Sequence, residues 1–192
     1  MRIMITGASG SGTSTLGAAL ARAWDARFLD SDDYFWLPGD PPFVEKRPAQ
    51  ERLGKILADL QPCARAVLAG CVMDWGEALE NSFDLVVFLQ VPTPVRLERL
   101  QQRELARYGR VNREFLAWAA QYDEGPQEGR SLARHTAWLG QRHCPVLRLE
   151  GELTQAAQFA ALAETLSTLS DAGEAEVLAQ ALLPASFGAS KA

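Results

Sequence analysis

The short apolar run from Arg2 to Thr6 stops at a cluster of glycines, Gly7, Gly10 and Gly12, and the stretch from Thr15 to Trp24 then sets Leu16, Leu20 and Trp24 at helical spacing. This pattern reads as strand, glycine loop, helix. Four more strands are predicted. Phe28 and Leu29 make a short one that ends in acidic residues, Ala66 to Ala69 another that enters the turn Gly70-Cys71, and Pro145 to Leu149 the last. Between them Asp84 to Val91, DLVVFLQV, is apolar throughout, as befits a parallel strand covered on both faces. Helical periodicity fills the intervals: Leu53, Ile56, Leu57 and Leu60 on one face, then Val95, Leu97 and Leu100 after two prolines, then Leu132 to Gly140 and Thr154 to Leu169. Such alternation, with right-handed crossovers, predicts an α/β fold: a five-stranded parallel sheet sandwiched by helices.

The chain has 192 residues, 47% of them hydrophobic, enough for one sizeable core. The main domain is expected over residues 1–170, with a polar, irregular segment at about 104–129 forming a helical lid around Phe115, Leu116 and Trp118. Residues 171–192 read as a partly helical tail, with a helix-like stretch from Glu174 to Leu183. The net charge of -5 leaves no basic field for a nucleic-acid backbone. No apolar run suits a signal peptide or a membrane span, so a cytoplasmic protein with a small soluble substrate is expected. Cys63, Cys71 and Cys144 are far apart in apolar surroundings and read as reduced core thiols. His135 and His143 have no metal-ligand spacing and are given no catalytic role.

The glycine loop, GASGSGTST, matches G-x-x-x-x-G-K-S/T at Gly7, Gly12 and Ser14. In that pattern glycines let backbone N–H groups turn inward around phosphate oxygens, and the next helix presents its positive N-terminus. Ser9, Gly10, Ser11, Thr13 and Thr15 complete the expected nucleotide-binding set, with the Ser14 hydroxyl on a magnesium ion. Position 13 departs from the pattern, because it holds Thr where a lysine ordinarily bridges the outer phosphates. Losing such a cation costs orders of magnitude in rate unless another replaces it. Either an arginine from residues 103–134 substitutes, or the protein binds nucleotide without fast turnover.

GASGSGTSTLGAALARA followed by Phe28-Leu29-Asp30-Ser31-Asp32 resembles the start of the shikimate and gluconate kinases, within the nucleoside-monophosphate-kinase-like P-loop families. It also resembles a bacterial set described as adenylate kinase or AAA-type ATPase, which pairs a Gly-Thr-Ser/Thr loop with DDYFW and PPF-x-x-KR stretches. The resemblance spans Met1 to about Leu169 and implies ATP and Mg2+ as cofactors and transfer of the γ-phosphate to a nucleoside monophosphate or hydroxylated metabolite. By position it implies magnesium binding for Asp30 and a role toward the acceptor hydroxyl for Asp32, with Asp33 a further candidate. Two carboxylates there divide metal binding and proton acceptance between them, although Asp30 and Asp33 also suit a strand end and a helix cap. Among the arginines of the lid position, Arg103, Arg107, Arg110 and Arg113, and the pair Arg130 and Arg134 on one expected helical face, Arg110, Arg130 and Arg134 are the catalytic candidates. Lys46, Arg47 and Gly70 are expected at the acceptor, walled by Met73, Asp74, Trp75, Trp36, Tyr34 and Phe43, and the turn Glu150-Gly151-Glu152 at the adenine base. A nucleotide-binding regulatory protein or slow ATPase without an acceptor is the alternative, and Thr13 is its chief support.

Overall fold

The computed structural model describes residues 1–125, 129–169, 178 and 182. Its five strands are β1 (Arg2–Gly7), β2 (Arg27–Asp30), β3 (Ala66–Ala69), β4 (Leu85–Gln90) and β5 (Val146–Glu150), all parallel, in the order β2-β3-β1-β4-β5. The helices are α1 (Thr13–Trp24), α2 (Ser31–Phe35), α3 (Ala49–Leu60), α4 (Glu77–Glu80), α5 (Thr93–Tyr108), α6 (Arg113–Ala120), α7 (Leu132–Leu139) and α8 (Gln155–Ser167). The chain therefore has the expected α/β architecture, with β1 central and flanked by β3 and β4.

Strand side chains alternate between two faces, and each face feeds its own core. Ile3, Ile5, Val87 and Leu89 pack with Leu16, Leu20 and Trp24 of α1 and Leu162 and Leu166 of α8. Met4, Leu68, Val86 and Phe88 pack on the other side with Ile56 and Leu60 of α3 and Trp138 and Leu139 of α7. Continuous burial along β4 explains its unbroken apolar sequence. In the second core Glu80 Oε1 accepts hydrogen bonds from the Trp75 and Gly76 amides, both at 3.0 Å, and Oε2 accepts from Trp138 Nε1 at 2.6 Å. The Arg142 guanidinium lies 3.5 Å from the same carboxylate and 4.3 Å from the centre of the Trp138 ring. That buried pair fixes the loop after β3 to α7.

The structure adds detail at three places. Helix α5 continues to Tyr108 and is stopped by Gly109 at φ 68, so the start expected for the lid lies inside a helix. Arg96, Leu100 and Glu104 are all buried, four apart, and this stripe carries the helix through a polar composition. Helix α2 begins at once after β2 because the Asp30 side chain caps it, as the strand-end and helix-cap reading of Asp30 implies. Of the tail stretch 174–183 only Leu178 and Leu182 fall within the described residues, and both are buried in the first core. All three cysteines are free; Cys63 and Cys144 pack against the second core, whereas Cys71 lies at the turn after β3. Among the described residues no helix is long and apolar enough to cross a membrane.

Candidate nucleotide and acceptor site

The loops after the carboxyl ends of β1, β2 and β3 meet on one side of the sheet, where open parallel sheets ordinarily bind ligands. At Gly7 a Cβ would fall 2.6 Å from the Leu89 carbonyl oxygen, so the loop leaves the sheet in close contact with β4. Gly10, at φ 84, packs on α5: a Cβ there would lie 2.6 Å from the Arg96 carbonyl oxygen. Gly12 enters α1 at φ 97 with no side-chain cap, which leaves the first N–H groups of the helix without a side-chain acceptor. That is the arrangement an anion completes. Ser11 is 2% exposed, its amide bonded to the Ala8 carbonyl at 3.1 Å, and its hydroxyl is buried without a partner, so it lies beneath the loop while Thr13, Ser14 and Thr15 lie nearer solvent. Thr15 also lines a surface groove of about 410 Å³ with Ala19, Arg22, Ala23 and Gln155, between α1 and the start of α8. Nearby, Gly151 is tied to β4 through its amide and the Gln90 carbonyl at 2.9 Å, and Glu152 pairs with Arg99 at 3.2 Å.

Ser14 Oγ donates to Asp30 Oδ2 at 2.6 Å, and Asp30 Oδ1 accepts from the Asp32 amide at 3.0 Å. One carboxylate thus both caps α2 and reaches the glycine loop. A hydroxyl and a carboxylate are a hard donor pair that fits magnesium. Among the described residues no cluster of three or more His, Cys, Asp or Glu side chains could hold a metal; an ion at Ser14 and Asp30 would take its remaining ligands from phosphate and water. Gly70, at φ 110, is pressed against α2: a Cβ would lie 1.9 Å from Ser31 Oγ, which accepts the Cys71 amide at 3.0 Å.

Desolvation by the surrounding protein, then the Asp30 charge, hold the Asp32 carboxyl above the usual value of 3.8, while Arg130 and then Arg103 pull it back. Asp33 is raised in the same way by burial and Asp30. The sign for stability follows. Between 3.8 and the raised folded pKa of Asp32 the folded chain binds more proton than the unfolded chain, so the contribution to stability is greatest below 3.8 and is lost as pH rises. Asp32→Asn is therefore expected to raise the urea midpoint slightly at neutral pH, with the difference vanishing below 3.8; an equal midpoint shift at both pH values would contradict this.

The arginines separate sharply. Arg130 Nη2 donates to Ser9 Oγ at 3.2 Å and its guanidinium sits 5.7 Å from the Trp118 ring centre. Arg134 instead donates to the Gly129 carbonyl at 2.6 Å and to Asp74 at 2.8 Å. The two do not share a helical face, because α7 begins at Leu132 behind a Ser131 cap and Arg130 precedes it. Arg110 is exposed beyond the end of α5. Arg47 donates to the carbonyls of Tyr34 and Trp36 and to Glu51, at 3.0, 3.4 and 2.6 Å, and braces its loop. Lys46 lies 5.9 Å from the Phe35 ring centre. Tyr34 is buried with its hydroxyl on Asp59 at 2.7 Å, and so belongs to the second core.

Sequence reasoning assigned no role to three polar side chains beside the candidate site. Arg52 places its guanidinium 5.0 Å from the Phe35 ring centre and 4.6 Å from that of Trp75; its Nε is buried without a partner, and desolvation lowers its pKa. Arg96 is fully buried below the loop. His135 is also fully buried, with Nδ1 2.6 Å from the Tyr122 hydroxyl and Nε2 3.4 Å from Thr6 Oγ1. Burial, then the charges of Arg130 and Arg134, push its pKa down to about 3, so it stays neutral. The available signal was position on an apolar stripe: Arg52 precedes Ile56 and Leu60 by four and eight, and Arg96 precedes Leu100 by four.

A glycine loop at the end of the central strand of a 2-3-1-4-5 parallel sheet, facing a carboxylate on the neighbouring loop, defines a P-loop protein of kinase-like fold. The AAA domain family matches residues 3–114, and the chain belongs to that family. It is 43% identical over 160 residues to the Bacillus subtilis (strain 168) protein named "Uncharacterized protein YqaC", covering 78% of this chain and 88% of that one. Among solved structures it is similar to shikimate kinase from Acinetobacter baumannii in complex with shikimate, with TM-score 0.52, 18% identity and coverage of 86% and 90% of the two chains. It is likewise similar to deoxyadenosine kinase from M. mycoides with bound dATP, with TM-score 0.54, 17% identity and coverage of 88% and 100%. At these identities the likeness is one of fold.

Proposed function

We propose that the chain is an ATP-dependent small-molecule kinase in which Arg130 takes over the task of the absent loop lysine. The observation that carries this reading is the bond from Arg130 to Ser9 at the loop, by a residue whose charge also acts on Asp32. In this reading the loop amides and the α1 N-terminus hold the triphosphate, and Arg130 lies against the outer phosphates. Magnesium, held by Ser14 and by Asp30 directly or through water, supplies neutralisation of phosphate charge. Asp32 accepts the proton of the acceptor hydroxyl, a role its raised pKa serves. The acceptor lies toward Gly70, Asp33 and Lys46. Arg52 is the additional cation of that wall, since its guanidinium lies over the Phe35 and Trp75 rings with Nε unpartnered among the described residues, and an anionic acceptor would supply a partner. Both a nucleoside monophosphate and a hydroxylated carboxylate meet that demand.

A second reading, a nucleotide-binding regulatory protein or slow ATPase, is favoured by Thr13. The two separate in one assay: ADP formation with magnesium and a panel of nucleoside monophosphates, shikimate, gluconate and similar alcohols, with Ser14→Ala as background. Stimulation by at least one anionic acceptor is expected; nucleotide binding without any acceptor-dependent turnover would favour the second reading.

A further inference from the structure

The fully buried Arg96 has no place in the phosphate chemistry just described, yet its side chain is spent on the segments that frame it. Its Nε donates to the Val91 carbonyl at 3.0 Å. Nη1 donates both to the Ser9 carbonyl in the phosphate loop, at 3.4 Å, and to the Ala119 carbonyl at the end of α6, at 3.3 Å. Nη2 donates to Thr93 Oγ1 at 2.6 Å and lies 3.7 Å from Asp123, whose carboxylate also accepts from the Thr93 hydroxyl. The planar fork thus reaches the loop through Ser9, the α6 limb through Ala119 and Asp123, and the junction of β4 and α5 through Val91 and Thr93. Gly10 strengthens the junction, since its Cα packs against the Arg96 backbone so tightly that a Cβ would meet the carbonyl oxygen at 2.6 Å.

Ser9 is consequently held twice: its carbonyl by Arg96, its hydroxyl by Arg130. We propose that Arg96 is a positioning residue that couples the α6 limb to the phosphate loop, so that displacement of Asp123 and Ala119 loosens the loop at Ser9. The coupling rests on geometry that only a guanidinium offers, because an ammonium group lacks the planar fork that serves Ser9, Ala119 and Thr93 at once. Its exposed end is Asp123, 46% exposed, through which the limb reaches the buried cation. The proposal rests on the nucleotide-binding reading only where it predicts affinity; the loop–limb coupling itself does not depend on nucleotide.

The test uses the full chain and two surface-compatible variants, Asp123→Asn and Thr93→Val, with Arg96→Lys as the direct one. Hydrogen exchange reports the peptide that contains the Ser11 amide, which is bonded to the Ala8 carbonyl, and calorimetry with the ATP analogue AMP-PNP plus magnesium reports affinity. Asp123→Asn is expected to speed exchange of that peptide about fivefold and to weaken AMP-PNP about fivefold; because Asp123 is a counter-charge of a buried guanidinium the thermal midpoint falls as well, so exchange of the loop peptide is read against that of a β4 peptide in the same sample, which should change less. Arg96→Lys should exceed it in both readouts, and if it fails to fold, Thr93→Val carries the comparison. Exchange of the loop peptide unchanged in both Asp123→Asn and Thr93→Val overturns the coupling. If native chain binds no AMP-PNP, the nucleotide reading fails and the exchange result still decides this one.

Discussion

Replacing Arg130 by alanine is expected to lower kcat about 10²- to 10³-fold, the range for removing one preorganised donor from a developing charge. Arg130 donates to the Ser9 hydroxyl at 3.2 Å and also acts on the Cys71 thiol, and neither contact joins the strands of the sheet, so folding should survive the change. Lysine at the same position should recover part of the loss, because it restores the charge but not the fork. The measurement is ADP formation with the best acceptor of the panel, together with AMP-PNP affinity. A fall in kcat much larger than the fall in affinity marks an interaction made in the transition state. Equal turnover in native chain and Arg130→Ala would leave Thr13 uncompensated and would remove the main support for the kinase reading. Arg134, committed to Asp74 and the Gly129 carbonyl, should matter less.

The second large effect is one of stability. Glu80→Ala withdraws the acceptor for Trp138 Nε1 and for the amides of Trp75 and Gly76, and strands the Arg142 guanidinium, whose side chain is 4% exposed. Breaking a buried pair in this way costs about 3–5 kcal/mol. Urea denaturation should show the midpoint falling with the slope preserved, as a change in stability alone requires. Glu80→Gln, which retains an acceptor oxygen, should be milder. Since Trp75 stacks under Arg52, the alanine variant should also raise KM for the acceptor more than for ATP.

Much of the fold was legible because its strands are short, apolar and punctuated and its helices periodic: strand Ala66–Ala69 and helix Ala49–Leu60 fall at the residues the pattern marks. The loop was legible because backbone conformation demands glycine there, as the positive φ of Gly10 and Gly12 bears out. What escaped is tertiary. Arg96 looks in sequence like one more cation in an arginine-rich helix, and only packing of α5 against the loop shows that it is buried. Arg130 and Arg134 look like a pair at helical spacing until Ser131 starts the helix between them. Arg47 looks free to meet an acceptor until its donors are found on the carbonyls of Tyr34 and Trp36.

The central place of β1 bears on how the chain is made. Ile3 leaves the ribosome well before its sheet neighbours, Val67 and Leu85, so β1 has no partner until β3 and β4 follow it out. Contacts this distant in sequence form slowly and leave apolar segments uncovered meanwhile. The nascent chain must keep RIMIT from pairing elsewhere, and the loop that follows takes its working shape only after β4 arrives behind Gly7.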